Sequence, residues 1–113
     1  MITFIDTGAC ERKSLDNDQG EMAEVVNKAI CGAEQMDASL RWLGQGESFE
    51  AAPLTGAHQL IYVMEGSGVV SLEGKDYDVG PGAGLYLAPG ESAGLRGAEG
   101  GTLKAFHLIG KPL

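Results

Sequence analysis

With 113 residues and a mass of 11.8 kDa, the chain can build one domain around one core and falls short of two. Sixteen acidic against eight basic side chains give a net charge of −8 and a pI near 4.5, and no run of Lys and Arg interrupts that field, so nucleic-acid and anionic-membrane partners are excluded. Hydrophobic residues at 43% and charged residues at 21% are ordinary for a soluble globular chain, while 18 glycines require many tight turns and favour an all-β fold over a helical one.

The opening MITFIDTGACERK has neither the basic and apolar regions nor the cleavage site of a secretory leader. No apolar run reaches the roughly 18 residues of a membrane-crossing helix, so the expected location is the cytoplasm. Cys10 and Cys31 form no CxxC pair and read as free thiols in a reducing compartment.

In chain order, Met1 to Ile5 could be a short strand, and Asp6 to Gly20 reads as a polar arm or loop. The whole chain is taken as a single domain, 1–113, with an N-terminal arm over 1–22 and a barrel over 23–110. AEVVNKAI, Ala23 to Ile30, suits an edge strand or a short helix. In ASLRWL, Ser39 and Arg41 face one way and Leu40 and Trp42 the other, with Trp42 expected inward. Phe49 to Leu54 continues extended until Pro53, which is tolerated best on an edge or at a bulge.

HQLIYVME, His58 to Glu65, is the strongest strand, and Gly68 to Leu72 is expected to return beside it as a hairpin after the Gly66-Ser67-Gly68 turn. Glu73-Gly74-Lys75 and Gly80-Pro81-Gly82 are further turns, and LYLA, SAGLR and TLKAFHLIG complete the strands. In the last strand Lys104 must face water, which places Phe106 and Leu108 outside and Leu103, Ala105 and His107 inside. Two apolar side chains on an outer face predict a covered surface and hence a homodimer.

The stretch IYVMEGSGVVSLEGKDYDVGPGAGLYLAPGES resembles the cupin family, small antiparallel β-barrels of jelly-roll type (a double-stranded β-helix) with two short motifs facing each other across a pocket. The frame of the first motif falls on Gly46, Ala52, Leu54, Gln59 and Gly66, and that of the second on Gly82, Ala88, Gly90, Ala93 and Gly97, with Pro89 one place late. The likeness covers roughly residues 38 to 110. It implies the fold, but the family holds enzymes, sugar-binding modules and storage proteins, so it does not by itself name an activity.

Where that family places metal-binding histidines, this chain has Ala52, Leu54 and Ala93, which carry no lone pair; of the four expected ligands Gln59 alone remains. No metal or other cofactor is therefore expected, and a transition-metal centre would need a rearranged set such as His107, His58 and Gln59 or Cys31. Inward parity nominates Trp42, Gln59, Ile61, Val63, Tyr86, Ala93, Leu95 and His107 as the lining of a mostly apolar ligand pocket. The same side chains also fit a barrel that is simply filled.

His58 should point away from the pocket, and the turn residues Glu65, Ser67 and Ser71 have no partner that would make them catalytic. The expected function is metal-independent binding of a small, mostly apolar or neutral organic molecule. The alternative is a cupin enzyme of isomerase, lyase or dioxygenase type with a rearranged metal or acid/base site, in which His107 is the acid or base and Gln59 orients a carbonyl.

Overall fold

The computed structural model describes residues 3–98 and 101–111. Within them the strands are β1 (Lys13–Ser14), β2 (Glu21–Val26), β3 (Met36–Leu43), β4 (Ser48–Ala51), β5 (His58–Glu65), β6 (Gly68–Leu72), β7 (Lys75–Val79), β8 (Gly84–Leu87), β9 (Ala93–Gly97) and β10 (Leu103–Gly110). They form a six-stranded sheet in the order β1-β2-β3-β10-β5-β8 and a four-stranded sheet in the order β4-β9-β6-β7, paired antiparallel throughout. This is the expected all-β jelly roll.

The period-2 pattern of β5 decides its orientation, since burying Gln59, Ile61 and Val63 leaves His58, Leu60 and Tyr62 outside. In β10 the burial of Leu103, Ala105 and His107 matches the parity read from Lys104. The inner faces of the two sheets meet over Leu43, Phe49, Ala51, Ile61, Val63, Val70, Leu87, Ala93, Leu95, Leu103 and Ala105, with Leu43 and Leu103 sealed completely. Burying side chains of this size contributes roughly 1.5–3 kcal/mol each.

Several readings change. The Gly66–Gly68 segment is no hairpin turn, because β5 and β6 lie in different sheets and the chain crosses between them there. A Cβ at Gly66 would collide with the Thr102 carbonyl, and one at Gly68 with the Arg96 carbonyl and Leu103 Cδ1, so the crossing closes this end of the barrel on bare backbone. Turn signals mark where a chain bends and do not tell a return from a crossing. The true tight hairpin is at Glu73–Gly74, both with positive φ, joining β6 to β7.

Around residues 21–31 both local readings hold in succession. β2 runs to Val26, and a single helical turn, α1 (Lys28–Cys31), follows, capped by the Asn27 side chain on the Ile30 amide at 2.8 Å. The barrel thus starts two residues ahead of 23, and β1 adds part of the arm to the sheet edge. Thr3 to Ile5 is not a strand, and Met1 and Ile2 lie outside the described residues.

Trp42 is on the opposite face from the one expected. The register pairs Leu43 with Leu103, Arg41 with Ala105 and Ser39 with His107, which turns Ser39 and Arg41 inward and Leu40 and Trp42 outward. The outer face of this sheet is apolar too, because the N-terminal arm covers it: Ile5 and Cys10 pack with Trp42, Phe106 and Leu108 around Val25, Ala38 and Leu40. Part of the cover expected for Phe106 and Leu108 therefore comes from the chain itself.

Candidate functional site

Within this largely apolar interior, a group of polar side chains gathers beside Phe49. Gln59 and His107 are buried on neighbouring strands, 3% and 6% exposed, and His107 Nε2 lies 2.7 Å from Gln59 Oε1. Gln59 Nε2 donates to the Ala52 carbonyl at 2.9 Å, which fixes the amide so that Oε1 accepts. His107 must then donate through Nε2, and its Nδ1 keeps the ring's lone pair.

The imidazole stands edge-on to Phe49, ring centroids 5.0 Å apart, and the Arg41 guanidinium lies 4.0 Å from the centre of the same phenyl ring. Burial first, and the nearby Arg41 charge second, push the His107 pKa down to about 4, so the ring is neutral at physiological pH. Burial also lowers the pKa of Arg41, which nevertheless stays charged in the neutral range.

Beside this group lies a cavity of about 300 Å³, lined by Met22, Glu24, Asp37, Ser39, Arg41 and His107 among others. It is at the lower end of the range of ligand pockets. Larger hollows sit elsewhere, one of about 510 Å³ beside Ser48, Glu50, Ser71 and Arg96 and one of about 570 Å³ beside Tyr77 and Tyr86. Neither holds a buried titratable group, and Arg96 in the first is already paired with Asp76 at 2.9 Å. The 300 Å³ cavity is therefore the better candidate despite its size.

The eight nominated lining residues separate. Gln59 and His107 come together as described. Ile61 and Val63 line an apolar gap of about 150 Å³ between the sheets, and Ala93 and Leu95 belong to the filled core. Trp42 is on the outer face under the arm, and Tyr86 is also outside, 59% exposed and hydrogen-bonded to His58. The expected mostly apolar lining gives way to a polar one because Arg41, rather than Trp42, points in.

Ser39, Arg41, Phe49 and Glu24 were missed as site residues. Their signal was present, since Ser39 and Arg41 share parity with Leu43, but hydrophobicity chose the face carrying Trp42.

The positions that match the family's metal motif do not fit a metal. Ala52 is exposed in the loop after β4, Leu54 is half-buried, and Ala93 is an aliphatic core residue. β4 instead turns Phe49 and Ala51 inward. His58 faces out, away from His107, so the rearranged set of His107, His58, Gln59 and Cys31 is not assembled. Among the described residues no three His, Cys, Asp or Glu side chains gather where one ion could bind them.

Solved structures of similar fold extend over nearly the whole chain. A predicted oxalate decarboxylase from Thermotoga maritima superposes with a TM-score of 0.83 at 20% identity, covering 97% of this chain and 100% of that one. The polyketide cyclase RemF from Streptomyces resistomycificus gives 0.81 at 18% identity over 99% and 81% of the two chains. KdgF from Halomonas sp. gives 0.79 at 16% identity over 100% and 96%. At these identities the likeness is one of fold. No curated protein matches at the level of sequence. The family model of the AraC-like ligand binding domain matches residues 34–109, about two thirds of the chain and all of the strands from β3 to β9. The chain is therefore a member of the AraC-like ligand-binding domain family, and its fold is that of cupin proteins.

Proposed function

We propose that the protein is a metal-independent binding module for a small polar molecule, held in the cavity beside His107, Ser39 and Arg41. The observation that carries this reading is the fixed chain from the Ala52 carbonyl through Gln59 to His107, which presents a neutral imidazole to a cavity of about 300 Å³. A buried polar network satisfied on one side and open on the other is preorganised for a ligand. Membership in a ligand-binding family supports the same conclusion.

Binding is favoured over proton transfer by the His107 pKa of about 4, which is poorly matched to acid or base work near neutrality. Burial and the neighbouring guanidinium disfavour the imidazolium, and the neutral Gln59 amide brings no counter-charge to offset them. Metal independence is supported by the donor set, since His107 Nε2 is committed as a hydrogen-bond donor and Ala52, Leu54 and Ala93 offer no lone pair.

The test is a thermal-shift screen of small metabolites on chelator-treated wild-type protein and on His107→Phe. A ligand at about one hundred times its Kd should raise the wild-type melting temperature by several degrees and that of His107→Phe by clearly less. Binding that requires added metal would overturn the proposal.

Pairing of two copies through the outer face of β5 and β8 is part of the same reading. Leu60, Tyr62, Met64 and Tyr86 stand exposed there beside Phe106 and Leu108, a self-complementary apolar stripe. Light scattering should give a dimer for the wild type and a monomer for Tyr62→Glu. The free thiols Cys10 and Cys31 suit a reducing compartment such as the cytoplasm, and among the described residues no helix is long and apolar enough to cross a membrane.

A further inference from the structure

One charge in the cavity forms no ion pair among the described residues, although two carboxylates, Glu24 and Asp37, line the same cavity. It is Arg41, whose Nε is buried without a hydrogen-bond partner. The other two arginines, Arg12 and Arg96, each grip a carboxylate at 2.9 Å. The carboxylates nearest the cavity are engaged elsewhere: Glu24 accepts from Asn27 Nδ2 at 2.9 Å, and Asp37 stands 3.6 Å from Lys111 Nζ. In a chain of net charge −8 an unpaired, half-buried cation is costly to hold, and the guanidinium fork is shaped for the two oxygens of a carboxylate.

The groups around Arg41 restrict what else that anion can carry. His107 donates through Nε2 to Gln59, so Nδ1 can only accept, and any ligand atom meeting it must bring a hydrogen. The Ser39 hydroxyl, opposite His107 in the strand register, can donate or accept. Glu24 and Asp37 in the lining repel any anion, so the ligand can carry no more negative charge than the single Arg41 cation offsets, which disfavours a dianion such as a phosphate ester. The volume, at the lower end for ligand pockets, suits a small molecule.

We infer that the cavity's ligand is a small hydroxy monocarboxylate, its carboxylate gripped by Arg41 and its hydroxyl donating to His107 Nδ1. This rests on the binding role proposed above and names its ligand class. Arg41 and His107 then read separate features of one molecule, the charge and the hydroxyl. Phe49 backs both side chains and holds them in register.

The experiment is calorimetric titration of wild-type protein with lactate and 3-hydroxybutyrate, their amides lactamide and 3-hydroxybutyramide, and propionate, repeated on Arg41→Gln, Arg41→Lys and His107→Phe. At least one hydroxy acid should bind roughly tenfold or more tightly than its amide, and Arg41→Gln should erase that difference. Arg41→Lys should retain part of it. His107→Phe should remove the preference for lactate over propionate. Amides that bind as well as acids, or an Arg41→Gln protein that binds acids within twofold of wild type, would overturn the inference.

A neutral molecule that binds in a His107-dependent manner with no preference for acids would sink this inference and leave the binding role standing. If no acid and no neutral molecule binds at up to about 10 mM, both fall. Should the Arg41 variants fail to fold, the acid and amide pairs on wild-type protein still decide.

Discussion

Two arginines stack on aromatic rings on opposite sides of the six-stranded sheet. Inside the barrel Arg41 lies 4.0 Å from the centre of Phe49, and outside Arg12 lies 3.9 Å from that of Trp42. The outer stack is a closed arrangement, because Arg12 also pairs with Glu21 at 2.9 Å and both side chains are nearly half exposed. The inner stack is open, with a buried Nε that has no hydrogen-bond partner and no ion pair to Arg41 among the described residues. The same pair of residue types thus serves to hold the arm in one place and leaves an unmet charge in the other, which marks the inner face as the one built to receive something.

The largest effect should come from the core beneath the inner stack. Leu43→Ala is expected to destabilise the protein by about 3–4 kcal/mol, because Leu43 is fully buried between two sheets that cannot close on the void. Leu40→Ala, on the outer face and 4% exposed, should cost nearer 2 kcal/mol, since the arm can settle onto it. Urea denaturation of both variants measures the difference. Equal losses would mean that the arm packs as rigidly as the second sheet.

Next comes the polar chain. Gln59→Leu strands the His107 N–H and the Ala52 carbonyl and should cost about 1–3 kcal/mol. Adding His107→Leu to it should cost less than the two single losses together, as the double change removes the stranded imidazole donor. Strict additivity would show that the two side chains are not coupled.

The pH profile follows from the same histidine. With the folded pKa lowered from 6.5 to about 4, the unfolded chain takes up a proton below pH 6.5 that the folded protein refuses until about pH 4. Stability is insensitive to this group above 6.5 and falls as the pH drops through that window. His107→Leu should flatten the decline between pH 6.5 and 5, before the carboxylates begin to titrate. A melting curve that declines equally in the variant would place the loss elsewhere.

The inner arginine should behave unlike a stabilising residue. Arg41→Met keeps the stem over Phe49, removes an unpaired charge, and should raise stability by about 1 kcal/mol while abolishing acid binding. A stabilised but ligand-blind variant would separate function from folding at a single position. Loss of stability would show that the guanidinium has structural partners.

Much of this could be read from the sequence, and where it could not the reason is physical. β10 declares its faces because Lys104 must meet water, and β5 because the motif frame assigns Gln59 to the pocket, and those parities brought Gln59 and His107 to the inside. β3 misleads because both of its faces are covered, one by the second sheet and one by the arm, so Trp42 and Arg41 could be ordered only by knowing the register to Leu103. Tyr86 was misplaced by the same limit, its strand being four residues long with too little alternation to fix a face. The motif glycines located the turns but not the loop length after β4, and so did not locate the inward Phe49.

The smallest effect tests the outer stack. Arg12 contacts Trp42 and Glu21 where water competes for both, and exposed ion pairs and cation–π contacts are each worth at most about 1 kcal/mol. Arg12→Met should therefore cost only about 0.5 kcal/mol in urea denaturation, and most of that should disappear in high salt, which screens the Glu21 pair. Its influence should be local, loosening the arm over Trp42 enough to speed amide exchange in β1 and around Cys10, and leaving exchange in β10 unchanged. Affinity for hydroxy acids should be the same as in wild type, because β3 itself separates the two stacks. If Arg12→Met weakens that affinity, the two faces of the sheet are coupled through β3, and the arm takes part in setting the position of Arg41.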